Sequence, residues 1–166
     1  CARPRSSRPP KMLVSTKGRY GLRMMIDIAR NQQAGVKISL REIGERQGIS
    51  VKYLEQLARS LCNAGLLRGS RGQGGGYALA RPARCITAGA ILRATEGSTA
   101  PVSCLVDSDD PHCLRQPDCE TAAFWVGLDK MIAAYVNGYT LEDLVNDSSS
   151  LDPAPGPCIG APHGRG

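Results

Sequence analysis

Three cysteines, Cys104, Cys113 and Cys119, fall on one short stretch, with eight residues between the first two and five between the second two. Thiolates are soft ligands, so three of them on an irregular segment suit an iron–sulfur cluster, and they also suit thiol-based redox sensing. A cluster takes a fourth ligand, for which His112, Asp118 and Glu120 are the local options. Structural zinc calls for tighter Cys-x-x-Cys pairs than this stretch offers. Functionally silent thiols are the plain alternative. Of the remaining cysteines, Cys62 reads as a core residue, Cys85 as a structural one, and Cys1 and Cys158 fall with His163 in the end segments.

A second set is Lys52, Glu55, Gln56 and Arg59, polar groups at three- and four-residue steps. On a helix they share one face and can exchange hydrogen bonds with base edges and phosphates in a major groove. That helix is predicted from its opposite face, where Val51, Leu54, Leu57, Ala58, Leu61 and Cys62 form an apolar stripe behind the N-cap Ser50. Before it, Ser39-Leu40-Arg41-Glu42 is a capping box opening a short helix with Leu40 and Ile43 inward, and Gln47-Gly48 ends that helix. Two helices joined by a glycine turn, the second polar outside, make a helix-turn-helix.

After it, Leu66–Arg71 can pair with Gly76–Leu79 around Gly72-Gln73-Gly74-Gly75, giving a hairpin wing. A nucleotide-phosphate loop is the competing use of these glycines, but no Gly-Lys-Ser or Gly-Lys-Thr follows, and G-x-G-x-x-G is absent. An amphipathic helix alone would mean only a solvated core helix. The order of helix, turn, polar helix and basic hairpin is what points to double-stranded DNA.

Charge is segregated along the chain. Residues 1–84 hold 17 of the 21 Lys and Arg and only four acids, Asp27, Glu42, Glu45 and Glu55, for a net +13, while residues 85–166 carry a net −7. The basic half suits phosphate neutralisation, and the acidic half suits sensing or self-association. No apolar run approaches 18 residues and the N-terminal stretch lacks an apolar core, so the expectation is a cytoplasmic protein with no membrane partner and with reduced thiols.

These readings divide the chain into a disordered basic extension (1–11), a winged helix-turn-helix DNA-binding domain (12–97), a cysteine-containing sensor loop (98–118), a dimerisation helix with a short tail helix (119–147), and a disordered tail (148–166). Met12 begins the patterned part, so residues 1–11 are read as an upstream extension. The fold class is mainly α with a small β-hairpin. A first helix from about Lys17 to Asn31 should bury Tyr20, Leu22, Met25, Ile26, Ile28 and Ala29, with Gln33-Ala34-Gly35 closing it. Thr87 caps a helix over Ala88 to Thr95 that buries Ile91 and Leu92. A long helix from near Cys119 to Asn137, stopped by Gly138, carries Phe124, Leu128, Met131, Ile132, Tyr135 and Val136 on one stripe, for a twin or for its own domain. Thr140-Leu141-Glu142-Asp143 opens the last helix.

From Met12 to about Asp147 the chain resembles the IscR, NsrR and CymR group of bacterial winged helix-turn-helix transcriptional regulators, the Rrf-two family. The resemblance is carried by Ser15-Thr16-Lys17-Gly18-Arg19-Tyr20, by Gln47-Gly48-Ile49-Ser50 with Tyr53-Leu54-Glu55-Gln56-Leu57, by Arg71-Gly72-Gln73-Gly74-Gly75-Gly76-Tyr77, and by Thr140-Leu141-Glu142-Asp143-Leu144. It implies a homodimeric repressor or activator on a pseudo-palindromic operator. Ser50, Lys52, Tyr53, Glu55 and Gln56 then fall at base- and phosphate-contacting positions, and Arg71 and Gly72 at wing positions that enter the minor groove. Glu55 repels phosphates but can accept from cytosine N4, which trades affinity for specificity.

Cys104, Cys113 and Cys119 fall where cluster-binding members carry three thiolates for a cluster of the 2Fe-2S or 4Fe-4S type. The chain departs from that pattern at the fourth ligand. IscR-like proteins have a histidine where this chain has Ala122, and NsrR-like ones an acid where it has Arg19. CymR-like members share Arg19-Tyr20, use no cluster and respond to a partner protein in sulfur and cysteine metabolism. A small redox metalloprotein or enzyme is the reading from another class, but no nucleophile, acid and base constellation is visible, so no catalytic residue is assigned.

Overall fold

A computed structural model describes residues 14–32, 36–70, 72, 74–106 and 119–146. The expected disordered ends, Gln33-Ala34-Gly35, and the stretch holding Cys113, His112 and Asp118 lie outside the described residues, as do Arg71 and Gln73. Six α-helices and one hairpin are described: α1 (Thr16–Asn31), α2 (Leu40–Gln47), α3 (Val51–Asn63), β1 (Leu67–Ser70), β2 (Gly76–Leu79), α4 (Ala88–Glu96), α5 (Ala122–Gly138) and α6 (Leu141–Asn146). Short 3-10 turns lie at Ala83–Cys85 and Ser103–Leu105.

Local chemistry starts each helix. Ser39 accepts from the Glu42 amide while Glu42 accepts from the Ser39 amide at 2.8 Å, so the capping box over α2 is complete. Gly48 ends α2 in the left-handed region (φ 64°), a conformation that a Cβ disfavours. Ser50 caps α3, Thr87 caps α4 through the Ala90 amide at 3.1 Å, and Thr140 with Asp143 forms a second reciprocal cap over α6.

The core joins α1, α2, α3, α4, the hairpin base and α6: Met24, Met25, Ile28, Ile43, Leu54, Leu61, Leu66, Ile86, Ile91 and Leu141 are all fully buried. Of the residues expected inside α1, Met25 and Ile28 are buried, whereas Tyr20, Leu22, Ile26 and Ala29 pack half-buried against the core. Val51 departs from the expected α3 stripe and is 41% exposed. It opens the first turn, where the helix has not yet entered the core.

The hairpin is antiparallel, with Leu67 opposite Leu79 and Ser70 opposite Gly76. Its Tyr77 exchanges two backbone hydrogen bonds with Ile38, just ahead of α2 (2.9 and 2.8 Å), so the wing is tied to the entry of the helix-turn-helix. That contact requires glycine next door, because a Cβ on Gly76 would lie 2.8 Å from the Ile38 carbonyl oxygen.

The long helix differs from expectation at both ends. Cys119 precedes it, its carbonyl accepting from the Ala122 amide at 3.1 Å, and Gly138 lies within it. The helix stops at Tyr139, where the Tyr139 carbonyl accepts from the Ala88 amide at 2.9 Å and Thr87 bridges Thr140. A backbone bridge ends the helix here, so no left-handed glycine is needed. Just before this stop, Asn137 accepts from Arg93 (2.9 Å) and meets Thr87 (3.4 Å), both of the α4 region. Leu128, Ile132 and Val136 are half-buried, while Phe124, Met131 and Tyr135 stand in solvent. Among the described residues no helix is long and apolar enough to cross a membrane.

Candidate nucleic-acid interface

The inward face of α3 (Leu54, Leu57, Ala58, Leu61) is buried, which fixes the opposite face outward. Lys52, Glu55, Gln56 and Arg59 are all exposed there. Ser50 is exposed at the helix start, with its hydroxyl already accepting from the Tyr53 amide. An exposed helix N-terminus, a cation and a carboxamide on one ridge can meet phosphates and a base edge together.

Tyr53 is placed differently from its neighbours. Half-buried, it sets its ring edge-on to Tyr20 of α1 at 5.8 Å, and burial, the Glu96 charge and Tyr20 push its phenol above the ordinary tyrosine range. It therefore stays a neutral hydroxyl. The Glu96 carboxylate closes the start of α1 as well, accepting from the Ser15 amide and hydroxyl (2.9 and 2.8 Å) and the Gly18 amide (2.8 Å). This explains the small residues Ser15 and Gly18 in the opening motif.

Behind the turn lies a polar cluster that pattern reading missed. Asp27 of α1 is 3% exposed and accepts from Arg46 through both of its oxygens, with contacts of 2.6 and 3.1 Å, and from the Gln47 side-chain amide at 2.8 Å. Burial alone would raise its carboxyl; the hydrogen bonds from Arg46 and Gln47 outweigh that and hold it below the usual aspartate range. Arg23, one turn earlier, donates to the Gln47 carbonyl (2.6 Å) and side-chain oxygen (3.1 Å) and lies 5.5 Å over the Tyr20 ring. The available signal was an aspartate inside the apolar run Met24-Met25-Ile26-Asp27-Ile28. An acid at such a position needs a partner.

At the wing, Gly72 is exposed with φ 98° and its carbonyl accepts from the Gly75 amide at 2.8 Å, closing the tip. Arg68 of β1 is exposed on the same hairpin. The sensor segment is described at its two ends only. Cys104 is half-buried in the turn Ser103–Leu105. Cys119 is half-buried, 3.4 Å from the Thr121 hydroxyl, and hydrogen bonds from the Thr121 side chain and backbone pull its thiol below the ordinary range. Among the described residues no three His, Cys, Asp or Glu gather as a metal site. Cys62 packs half-buried against the core, whereas Cys85, expected to be structural, is exposed.

A winged helix with an outward polar helix and a hairpin tied to its entry is thus in place. The family model for Rrf2, described as an iron-dependent transcriptional regulator, matches residues 14–147. The chain belongs to the Rrf2 family. Protein rrf2 of Nitratidesulfovibrio vulgaris is 41% identical over 138 residues, which is 83% of this chain and 90% of that protein. The HTH-type transcriptional regulator IscR of Escherichia coli is 38% identical over 141 residues, 85% of each. Among solved structures, CymR, the global cysteine regulator of B. subtilis, superimposes with a TM-score of 0.65 at 38% identity, covering 80% of this chain and 95% of CymR. IscR of T. potens gives 0.65 at 36% identity, covering 87% and 93%. This Rrf2 chain is accordingly a DNA-binding transcriptional regulator with a winged-helix fold, and its relatives are regulators, not enzymes.

Proposed function

We propose that the chain acts in the cytoplasm as a homodimeric repressor that reads a pseudo-palindromic operator and responds to iron–sulfur status or to redox or nitrosative stress through Cys104, Cys113 and Cys119. The observation that carries the dimer is α5: seventeen residues with none buried, although Phe124 (64% exposed), Met131 (54%) and Tyr135 (51%) are large and apolar. Such a surface is costly to leave in water, and a second copy of the helix would cover it. Two copies then present two α3 helices to two half-sites. In each, Lys52 and the start of α3 at Ser50 face phosphates, Gln56 and Glu55 face base edges, Tyr53 packs beside the backbone, and Arg71 with Gly72 enters the minor groove.

The donor chemistry fits a thiolate-bound cluster, since Cys104 and Cys119 are free, half-buried thiols at the two ends of the segment that contains Cys113. Bound there, a cluster would supply a group that oxidants and nitric oxide can alter. The chain's own part is to supply those thiolates next to α5, with Thr121 favouring the charged form of Cys119. Anaerobically purified protein is expected to contain iron and sulfide with visible absorption that a Cys113→Ser variant loses, and to sediment as a dimer that Met131→Glu converts to monomer. A monomeric wild type would overturn the dimer. A colourless, iron-free dimer would instead favour a cluster-free, CymR-like regulator of sulfur metabolism, a reading supported by Arg19 and by the likeness to the CymR structure.

A further inference from the structure

We infer that Asp27 is a positioning residue for operator reading, holding the helix-turn-helix at a fixed angle to α1 through Arg46, Gln47 and Arg23. The inference rests on α3 being the helix that reads bases. Asp27 is the one buried acid among the described residues, and it lies on α1 among the buried Met24, Met25 and Ile28. A buried ion pair is a poor route to stability, because the desolvation of two charges consumes most of their attraction, and a well-packed apolar side chain serves the core as well. What the carboxylate adds is direction.

Apart from one longer contact from Asn31 of the same helix (3.4 Å), that direction is aimed at one place. Arg46 and Gln47 are the last two residues of α2, immediately ahead of Gly48, where the chain turns into α3. Asp27 takes the Arg46 guanidinium through both oxygens and the nitrogen of the Gln47 amide, while Arg23 takes that amide's oxygen and the Gln47 main-chain carbonyl. Both ends of one carboxamide are therefore occupied, and rotating the end of α2 or sliding it along α1 would break these bonds. The same stripe of α1 continues through Arg23 over the Tyr20 ring to the Tyr20–Tyr53 contact, in the first turn of α3. Tyr20, Arg23 and Asp27 are spaced i, i+3 and i+7, so a single face of α1 addresses the turn on one side and the reading helix on the other. Sub-ångström misplacement of a reading helix separates bidentate base contacts that phosphate contacts would tolerate.

The test uses full-length protein and a duplex enriched by the wild type from a random-sequence library, beside a scrambled duplex of the same composition. Asp27→Asn and Arg46→Lys are each expected to bind the enriched duplex about tenfold more weakly, the loss of one good base contact, with the salt slope and scrambled-duplex affinity unchanged. Asp27→Asn makes the protein more cationic, so charge alone would move its affinity the other way. Arg46→Lys keeps the charge, stands 38% exposed and leaves no core void, so it carries the test should Asp27→Asn fail to fold. Wild-type affinity in the folded variants, or an equal loss on both duplexes, would overturn the inference while leaving α3 as the reader. Failure of the wild type to enrich any duplex would sink both.

Discussion

Glu55 and Lys52 lie one turn apart on the exposed ridge of α3 and carry opposite charges, which the proposed DNA contact would set against the same polyanion. Removing the cation should weaken binding to every duplex: Lys52→Ala is expected to lower affinity without regard to sequence and to flatten the salt slope by about one, read by fluorescence anisotropy at several ionic strengths. Removing the acid should do the reverse in affinity, with Glu55→Ala binding scrambled DNA more tightly and discriminating less. Asp27 has its own signature in acid. Its folded carboxyl lies below the ordinary aspartate value of about 3.9, so its contribution is complete above that value and fades as pH falls below it. Thermal melts should show wild type losing more stability than Asp27→Asn as pH falls below about 4. Single residues were legible wherever partners lie close in sequence, as in the Ser39/Glu42 box. Asp27 was not, because its partners are 19 and 20 residues away and no periodicity encodes a pairing between helices.

At the scale of elements, apolar spacing and caps identified all six helices and the hairpin, because each is set by short-range rules that a pattern can carry. Their ends were harder. Gly138 reads as a stop, yet the stop is made by the long-range bridge of Tyr139 and Thr140 to the segment before α4. The wing glycines read as one permissive tip, but Gly76 serves the approach to Ile38. Gly76→Ala should therefore destabilise the fold by about 1–3 kcal/mol, the usual cost of overpacking, measured by urea unfolding. The tail helix shows the same gap between pattern and packing. Leu141 is fully buried against the core and the Arg30 side chain reaches the Val145 carbonyl, so α6 docks on α1.

Across the whole molecule, the net charge along the sequence changes sign just ahead of α4, from +13 over residues 1–84 to −7 over residues 85–166. α4 belongs to both parts, since it packs on α1 and α3 on one side and on α5 on the other. The candidate site divides in the same way: the outward placing of the polar ridge of α3 was legible because amphipathicity forces it, whereas whether Cys104, Cys113 and Cys119 meet is a question that spacing alone leaves open. Asn137, near the C-terminal end of α5, is clasped by Arg93 and Thr87, while Phe124 near the other end reaches into water. Such a helix is a mast stepped at its foot. In the proposed dimer two such masts would lean together, and the angle at the step would set the gap between the two α3 helices. Asn137→Ala should then leave the preferred half-site letters intact and change the number of base pairs tolerated between them, a shift that selection from spacer-length libraries would reveal.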